Sequence, residues 1–551
     1  MDLKSWQRHY DYNVPTTIRY PRFPVSNFLH IAAAQFPFKA AIDFYGTETT
    51  FFQLREQVLR VANTLCRQNV KKGDRVGIAL PTCPQYVIAY HAALCVGAIV
   101  VNLNPFYTHD ELKFMIENSG LETLFTYDEA LPTIRPLAQE LGLKRVIVTK
   151  LSDYIRDNGR SSARSLDLEE GWKHFSDVID TCTDTNLPRI DFDPNDTALI
   201  QYTGGTTGIP KGAELTHGNI VASIFQASAW LNPVMTYIPH EKRNTIISVP
   251  QFHIYGNLCT NLALHHASTA ILLPRFDLNE AMSILARFEQ ISFFPCVPTM
   301  ITAILNHPDE GALKLGTRLR YFHSGGAPMP TELIMQIKNK GINFAEAWGM
   351  SETSSVGIGN PILSPKTGAI GVPTIDNQVR LVDVEKGIDE VKPGDPGEIV
   401  IKGPTVMKRY WNNPEETEGQ LVEGWLHTGD VAQADDDGYL YIVDRKKDMI
   451  IAGGFNIYPR EVDEVLYRHP KIAEAVTVGI PDPYRGETIK ACIVLKAGVE
   501  AAEKEIIDFC REKLAPYKVP KMIEFREALP KSAVGKILRK ILREEEISKA
   551  E

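Results

Sequence analysis

The segment Tyr202-Thr-Gly-Gly-Thr-Thr-Gly-Ile-Pro-Lys-Gly212 concentrates more chemical capacity than any other stretch of the chain. Its glycines let backbone amides approach an anion closely, its threonines supply hydroxyl donors, and Lys211 supplies a positive charge. A polyphosphate is the natural ligand of such a loop. It is not a Walker A loop, because Pro210 precedes the lysine and Gly212 follows it where that motif needs Gly and Ser/Thr. An apolar run at 197–201 leads into the segment and places it at the end of a strand.

Further motifs follow in order: Val249-Pro-Gln-Phe-His-Ile-Tyr255, Ser324-Gly-Gly-Ala-Pro328, Trp348-Gly-Met-Ser-Glu352, Gly424-Trp-Leu-His-Thr-Gly-Asp430, Asp444-Arg-Lys-Lys-Asp448 and Gly535-Lys536. With the loop at 202–212, this ordered set resembles the signature of the acyl-adenylate-forming superfamily, which includes acyl-CoA synthetases, luciferase and the adenylation domains of peptide synthetases. The resemblance runs over essentially the whole chain.

What the resemblance implies can be stated residue by residue. Thr203, Gly204, Gly205, Thr206, Thr207 and Gly208 with Lys211 would cradle the triphosphate, and Glu352, with Thr203 as a second contact, would hold Mg²⁺, a hard cation that prefers oxygen. Gly325, Gly326 and Ala327 would let adenine lie against backbone. Trp348, in a motif continuing through Gly349 and Ser351, stands where the family usually has Tyr, and either aromatic can stack on the base. Asp430 would accept hydrogen bonds from the ribose hydroxyls, with Arg445 beside it. His253 matches a histidine between the acyl pocket and the reaction centre, where amino-acid-activating relatives carry Asp. Gly453 and Gly454 match the loop lining the pantetheine channel, Lys447 the hinge position, and Lys536 the catalytic lysine, with Ser532 where Thr is commoner.

These residues need a scaffold, and the periodicity describes one. Short apolar strands alternate with helical patterns from residue 75 (75–80, 98–103 and 145–149, with helices at 85–94 and 109–118) and again after 240 (245–249, 269–273, 292–297, 319–323 and 342–347). That rhythm reads as β-α-β units in mostly parallel sheets. Between about 370 and 445 the helical period gives way to β runs at 378–382, 398–402 and 439–443 with Gly/Pro/Asp turns, as in a small antiparallel sheet or barrel. After Asp444 come a helix entered at Pro459, strands at 474–478 and 491–495, and helices near 502–514 and 537–547. The expected fold is therefore α/β: two doubly wound α/β layers plus a small β-barrel in residues 1–444, a hinge at 445–447, and a mobile α+β domain at 448–551.

Composition narrows the partners. The 551 residues carry 59 Lys+Arg against 68 Asp+Glu, a net −9, with the basic residues scattered, so no nucleic acid is expected. The eight cysteines form no C-x-x-C or paired spacing, which suits thiols in a reducing compartment. The apolar run at 86–101 is shorter than the ~20 residues of a membrane span, and the N-terminus shows no leader pattern. A cytoplasmic protein without a transmembrane segment is expected, with peripheral membrane contact left open.

The function implied is a two-step fatty acid:CoA ligase using ATP, Mg²⁺ and coenzyme A. Local likeness to long-chain fatty acid ligases at 101–107, 444–458 and 480–487 favours a fatty acid and leaves medium-chain and aryl acids open. The alternatives are a stand-alone aryl or amino-acid adenylating enzyme serving a carrier protein, and a non-catalytic nucleotide-binding protein on this scaffold.

Overall fold

A computed structural model describes residues 5–155, 166–203, 210–325, 329, 331–452, 455–482, 485–532 and 537–550. Two mostly parallel sheets form its body. The first runs Arg409–Tyr410, Lys211–Thr216, Thr197–Thr203, Ile99–Asn102, Arg75–Ile78, Thr123–Tyr127, Arg145–Thr149, Lys173–His174. It is parallel from Thr197–Thr203 onward and antiparallel at its first two strands.

In the second, Asn244–Ile247, Thr269–Leu272 and Ala40–Phe44 are parallel, with Thr47–Thr50 antiparallel at the edge. A parallel bridge between Thr245 and Phe293 joins this sheet to the parallel strands Phe294–Cys296, Tyr321–Ser324 and Asn343–Trp348. The doubly wound layers expected from the alternating period are thus present.

Helices fill the space between the sheets, and their composition follows from that position. Every residue of Pro84–Cys95 is buried, because a helix with a sheet on one side and helices on the others has no wet face. It packs on Ile99–Asn102 and on Phe51–Arg67, and the Tyr90 hydroxyl reaches Asn257 Oδ1 of Ile254–His265 at 3.3 Å. This accounts for the long apolar run at 86–101, which is one buried helix followed by one buried strand. Among the described residues no helix is long and apolar enough to cross a membrane.

The segment after 370 forms an antiparallel sheet ordered Gln378–Val382, Gly397–Lys402, Trp425–Ala434, Leu421–Val422, with Leu440–Arg445 also paired to Trp425–Ala434. Where a small barrel is expected, no pairing closes this sheet among the described residues.

The last part of the chain has its own core. Ile450, Ile457, Val462, Leu466, Ile489 and Ile506 belong to a cluster containing no described residue before 450. The antiparallel pair Ile472–Asp482 and Gly486–Leu495 is its backbone, with Met522–Phe525 added in parallel. The helices Pro459–Tyr467, Glu503–Arg511 and Arg539–Ala550 complete it.

Candidate active site

Strand ends converge on one cleft, as open parallel sheets require: side chains beyond the carboxyl ends of their strands share a crevice. Thr197–Thr203 ends at the phosphate-type loop and Lys211–Thr216 returns antiparallel, so Thr203 faces Lys211 across the ladder. The Thr203 hydroxyl donates to the Lys211 carbonyl at 3.4 Å. Tyr321–Ser324 delivers Gly325, and Asn343–Trp348 delivers Trp348 and, one turn on, Glu352. From the antiparallel sheet, Trp425–Ala434 and Leu440–Arg445 bring Asp430 and Arg445 into direct register.

The nucleotide-type residues are tied to one another. Trp348 Nε1 donates to Asp430 Oδ2 at 2.7 Å, and Arg445 Nε lies 3.2 Å from the other carboxylate oxygen. An ionised carboxylate has about four acceptor positions. Two are used here, which leaves capacity on each oxygen for a pair of adjacent hydroxyls. Gly357 makes room for the indole, since a Cβ there would lie 2.8 Å from its ring.

Glu352 sits in a short 3₁₀ turn, 5% exposed, and accepts a 2.7 Å hydrogen bond from the Tyr410 hydroxyl. Burial raises its pKa, with Tyr410 opposing. The turn that holds it is strained. Ser354 (φ 50°) and Ser355 (φ 71°) are both left-handed, which costs non-glycine residues on the order of 1 kcal/mol each. Gly349 permits the fold-back, because a Cβ would meet the Ser355 carbonyl at 2.2 Å.

Lys211 pairs with Glu416 and lies 5.7 Å from the centre of the Tyr410 ring. Glu416 belongs to Pro414–Gln420, capped by Asn413. Tyr410 and Glu416 complete the surroundings of Lys211 and Glu352, and no sequence motif marks them. The only signal available, the short β run at 409–410, gains meaning once it pairs with Lys211–Thr216.

His253 caps Ile254–His265, its Nδ1 accepting from the Tyr255 amide at 3.2 Å. Lys447 lies in the turn after Arg445, where burial lowers its pKa, and its carbonyl accepts from Arg543 at 3.4 Å. Nearby, Arg539 is sunk among Asp444 (3.3 Å), Asp448 (3.7 Å) and Asp463 (2.5 Å).

Thr203, Lys211, His253, Gly325, Trp348, Gly349, Ser351, Glu352, Asp430, Arg445 and Lys447 all line this cleft, whose volume is 2660 Å³. A site for one small ligand usually measures ~300–1,000 Å³. This cleft has room for several substrates at once. Gly204, Gly205, Thr206, Thr207, Gly208, Gly326, Ala327, Gly453, Gly454 and Lys536 lie outside the described residues. The flanks of Lys536 are described: Lys531 and Ile537 pair as an antiparallel bridge, and both line the cleft.

A sequence model described as "AMP-binding enzyme" matches residues 29–411, and one described as "AMP-binding enzyme C-terminal domain" matches 461–536. A long-chain-fatty-acid–CoA ligase of Bacillus subtilis (strain 168) is 39% identical over 98% of both chains. One of Escherichia coli O6:H1 is 34% identical over 98% of both. Among solved structures, the anthranilate CoA ligase AuaEII in complex with anthranoyl-AMP superposes with a TM-score of 0.85 at 27% identity, covering 96% of this chain and 98% of that one. With a family model over most of its length and relatives of this identity end to end, the chain belongs to the AMP-binding enzyme family.

Proposed function

We infer that the protein is an ATP-dependent, AMP-forming fatty acid:CoA ligase. The observation that carries this reading is the joining of Trp348, Asp430 and Arg445 into one hydrogen-bonded unit on the same cleft as Lys211 and Glu352. Family membership and the near full-length likeness to long-chain-fatty-acid–CoA ligases support it.

In the first step an acid carboxylate oxygen attacks the α-phosphorus of ATP, the bond to pyrophosphate breaks, and acyl-AMP forms. In the second the CoA sulfur attacks the acyl carbon, the bond to AMP breaks, and the thiol proton leaves to solvent. Neither step needs a protein nucleophile, so the chain's work is positioning and charge stabilisation. Trp348 and Asp430 fix base and ribose, Lys211 and the threonines of its loop hold phosphate oxygens, and His253 borders the acid. Lys536 is assigned to the charge developing at the α-phosphate.

The described residues hold no cluster of three metal-ligating side chains. Mg²⁺ binds through one or two carboxylates together with substrate phosphates, and Glu352 and Thr203 both line the cleft. Glu352 and Thr203 are the residues to hold it. When bound, it neutralises phosphate charge.

We assign residues 445–447 as a hinge and 448–551 as a domain that turns between the two steps. All eight cysteines are unpaired, which supports a cytoplasmic location. The test is a product assay: ATP should yield AMP and pyrophosphate only with a carboxylic acid and Mg²⁺, fatty acids outperforming amino acids, and acyl-CoA once CoA is added. ADP as the main nucleotide product would refute the reading.

A further inference from the structure

Leu258, Leu262, Phe293, Tyr255, Tyr321 and His323 also line the cleft. A wall facing an unadorned alkyl chain needs only apolar groups. This one contains an imidazole. His323 stands two residues before Gly325 on Tyr321–Ser324, on the same face of the strand as Tyr321. Its ring lies 5.6 Å from Tyr255, 6.0 Å from Tyr321 and 6.1 Å from Phe293, centre to centre.

One edge of the imidazole is engaged: Nδ1 and the Tyr255 hydroxyl are 2.6 Å apart. That contact fixes the ring. Nε2 has no hydrogen-bond partner among the described residues, and His323 lines the cleft. The Tyr321 hydroxyl, on a side chain only 1% exposed, likewise has no hydrogen-bond partner among the described residues, and Tyr321 lines the same cleft. Two polar atoms on one strand face therefore border the cleft among the rings of Tyr255 and Phe293, and a plain hydrocarbon seated against them would strip both of water without replacement.

We propose that the acid activated here carries an uncharged hydroxyl on its acyl chain, hydrogen-bonded by His323 and Tyr321. This rests on the ligase reading and specifies its substrate. A hydroxyl fits because it both donates and accepts, and so complements Nε2 in whichever tautomer the Tyr255 contact imposes. Burial holds His323 neutral, its pKa lowered to about 4. A second carboxylate on the substrate would therefore find no counter-charge from this ring.

The experiment compares parent alkanoic acids with isomers bearing one hydroxyl at successive positions, and phenylalkanoic acids with their hydroxyphenyl counterparts. The readout is kcat/KM for AMP formation at saturating ATP and CoA. At least one hydroxylated acid should exceed its parent about ten- to hundredfold, and in His323→Leu that ratio should fall to near one. Preference in the alkanoic series places the hydroxyl on a chain, and preference confined to the phenyl series places it on a ring. If every hydroxylated acid is used no better than its parent by the wild-type protein, the proposal is overturned, whether or not His323→Leu folds. If no acid supports AMP formation, it is the ligase reading that falls. The hydroxyl question is then decided by dissociation constants of the same pairs, measured by calorimetry, where equality overturns it.

Discussion

Trp348 would serve two parts of a nucleotide, because the hydrogen bond that fixes its ring also orients Asp430. The sequence marks both residues through their motifs and gives no sign that they touch, since 82 positions separate them. Glu346, two residues earlier on the same strand, is invisible to motif reading for a different reason: its character comes from burial. It is 8% exposed, accepts from the Met329 amide at 3.2 Å, and has its pKa raised to about 7 by burial, with Arg460 opposing and Glu464 reinforcing the shift. The sign of the stability effect follows. Below the ordinary value of 4.5 both folded and unfolded chains carry the proton; between 4.5 and about 7 only the folded chain keeps it. Stability therefore falls as pH rises through that window, by about 3 kcal/mol in total if the whole shift is realised. Glu346→Gln removes the titration, so its melting temperature should decline less than that of wild type between about pH 5 and about pH 8. Parallel pH profiles for the two proteins would show that Glu346 does not titrate this way.

At the scale of elements, strands bounded by turn residues were legible almost to the residue, as at Arg145–Thr149 and Gln378–Val382. The hairpin Ile472–Asp482 with Gly486–Leu495 was not, and only the part away from its turn, 474–478 and 491–495, was foreseen. Its antiparallel ladder continues through Thr488 and Glu487 on backbone hydrogen bonds that hydrophobicity does not report. The lysine assigned to the α-phosphate sits within a described frame that ends at Ser532 and resumes at Ile537. Leu538 donates its amide to the Pro530 carbonyl at 2.8 Å, Lys531 bridges Ile537, and the frame borders the cleft. Lys531 is already engaged, its ammonium 2.5 Å from Glu474. The prediction separates two lysines of one frame. Lys536→Ala should lose about two or more decades in acyl-AMP formation, the scale of other donors aimed at developing charge, while converting supplied acyl-AMP and CoA near the wild-type rate. Lys531→Ala should alter neither half-reaction appreciably. Single-turnover measurement of both steps decides it, and the reverse pattern would mean that Lys531 is the catalytic lysine.

At the scale of the whole molecule, the layered body was legible because alternating strand and helix periods leave few topologies. The meeting of the last domain with that body was not, because it rests on charges spaced far apart in sequence. Arg539 reaches back to Asp444, at the end of the preceding antiparallel sheet, while also holding Asp448 and Asp463. Asp444 in turn accepts from the Arg460 amide at 2.7 Å. A rotation between steps would have to part Arg539 from Asp444, and the proposed hinge at 445–447 lies just beyond Asp444. Beyond Asp444 the ladder ends at Arg445, and Lys447 follows in a turn. Proline at 447 would fix its φ near −65° and push residue 446 toward extended backbone, so one arrangement of the domains would be held at the expense of the other. In the present one the flanks of Lys536 border the cleft, which suits adenylation. Lys447→Pro should therefore leave acyl-AMP formation measurable and slow thioester formation from supplied acyl-AMP by an order of magnitude or more, on the scale of other losses of positioning. The two half-reactions are measured on one preparation whose melting temperature matches wild type. Equal loss in both would place the pivot elsewhere in the chain.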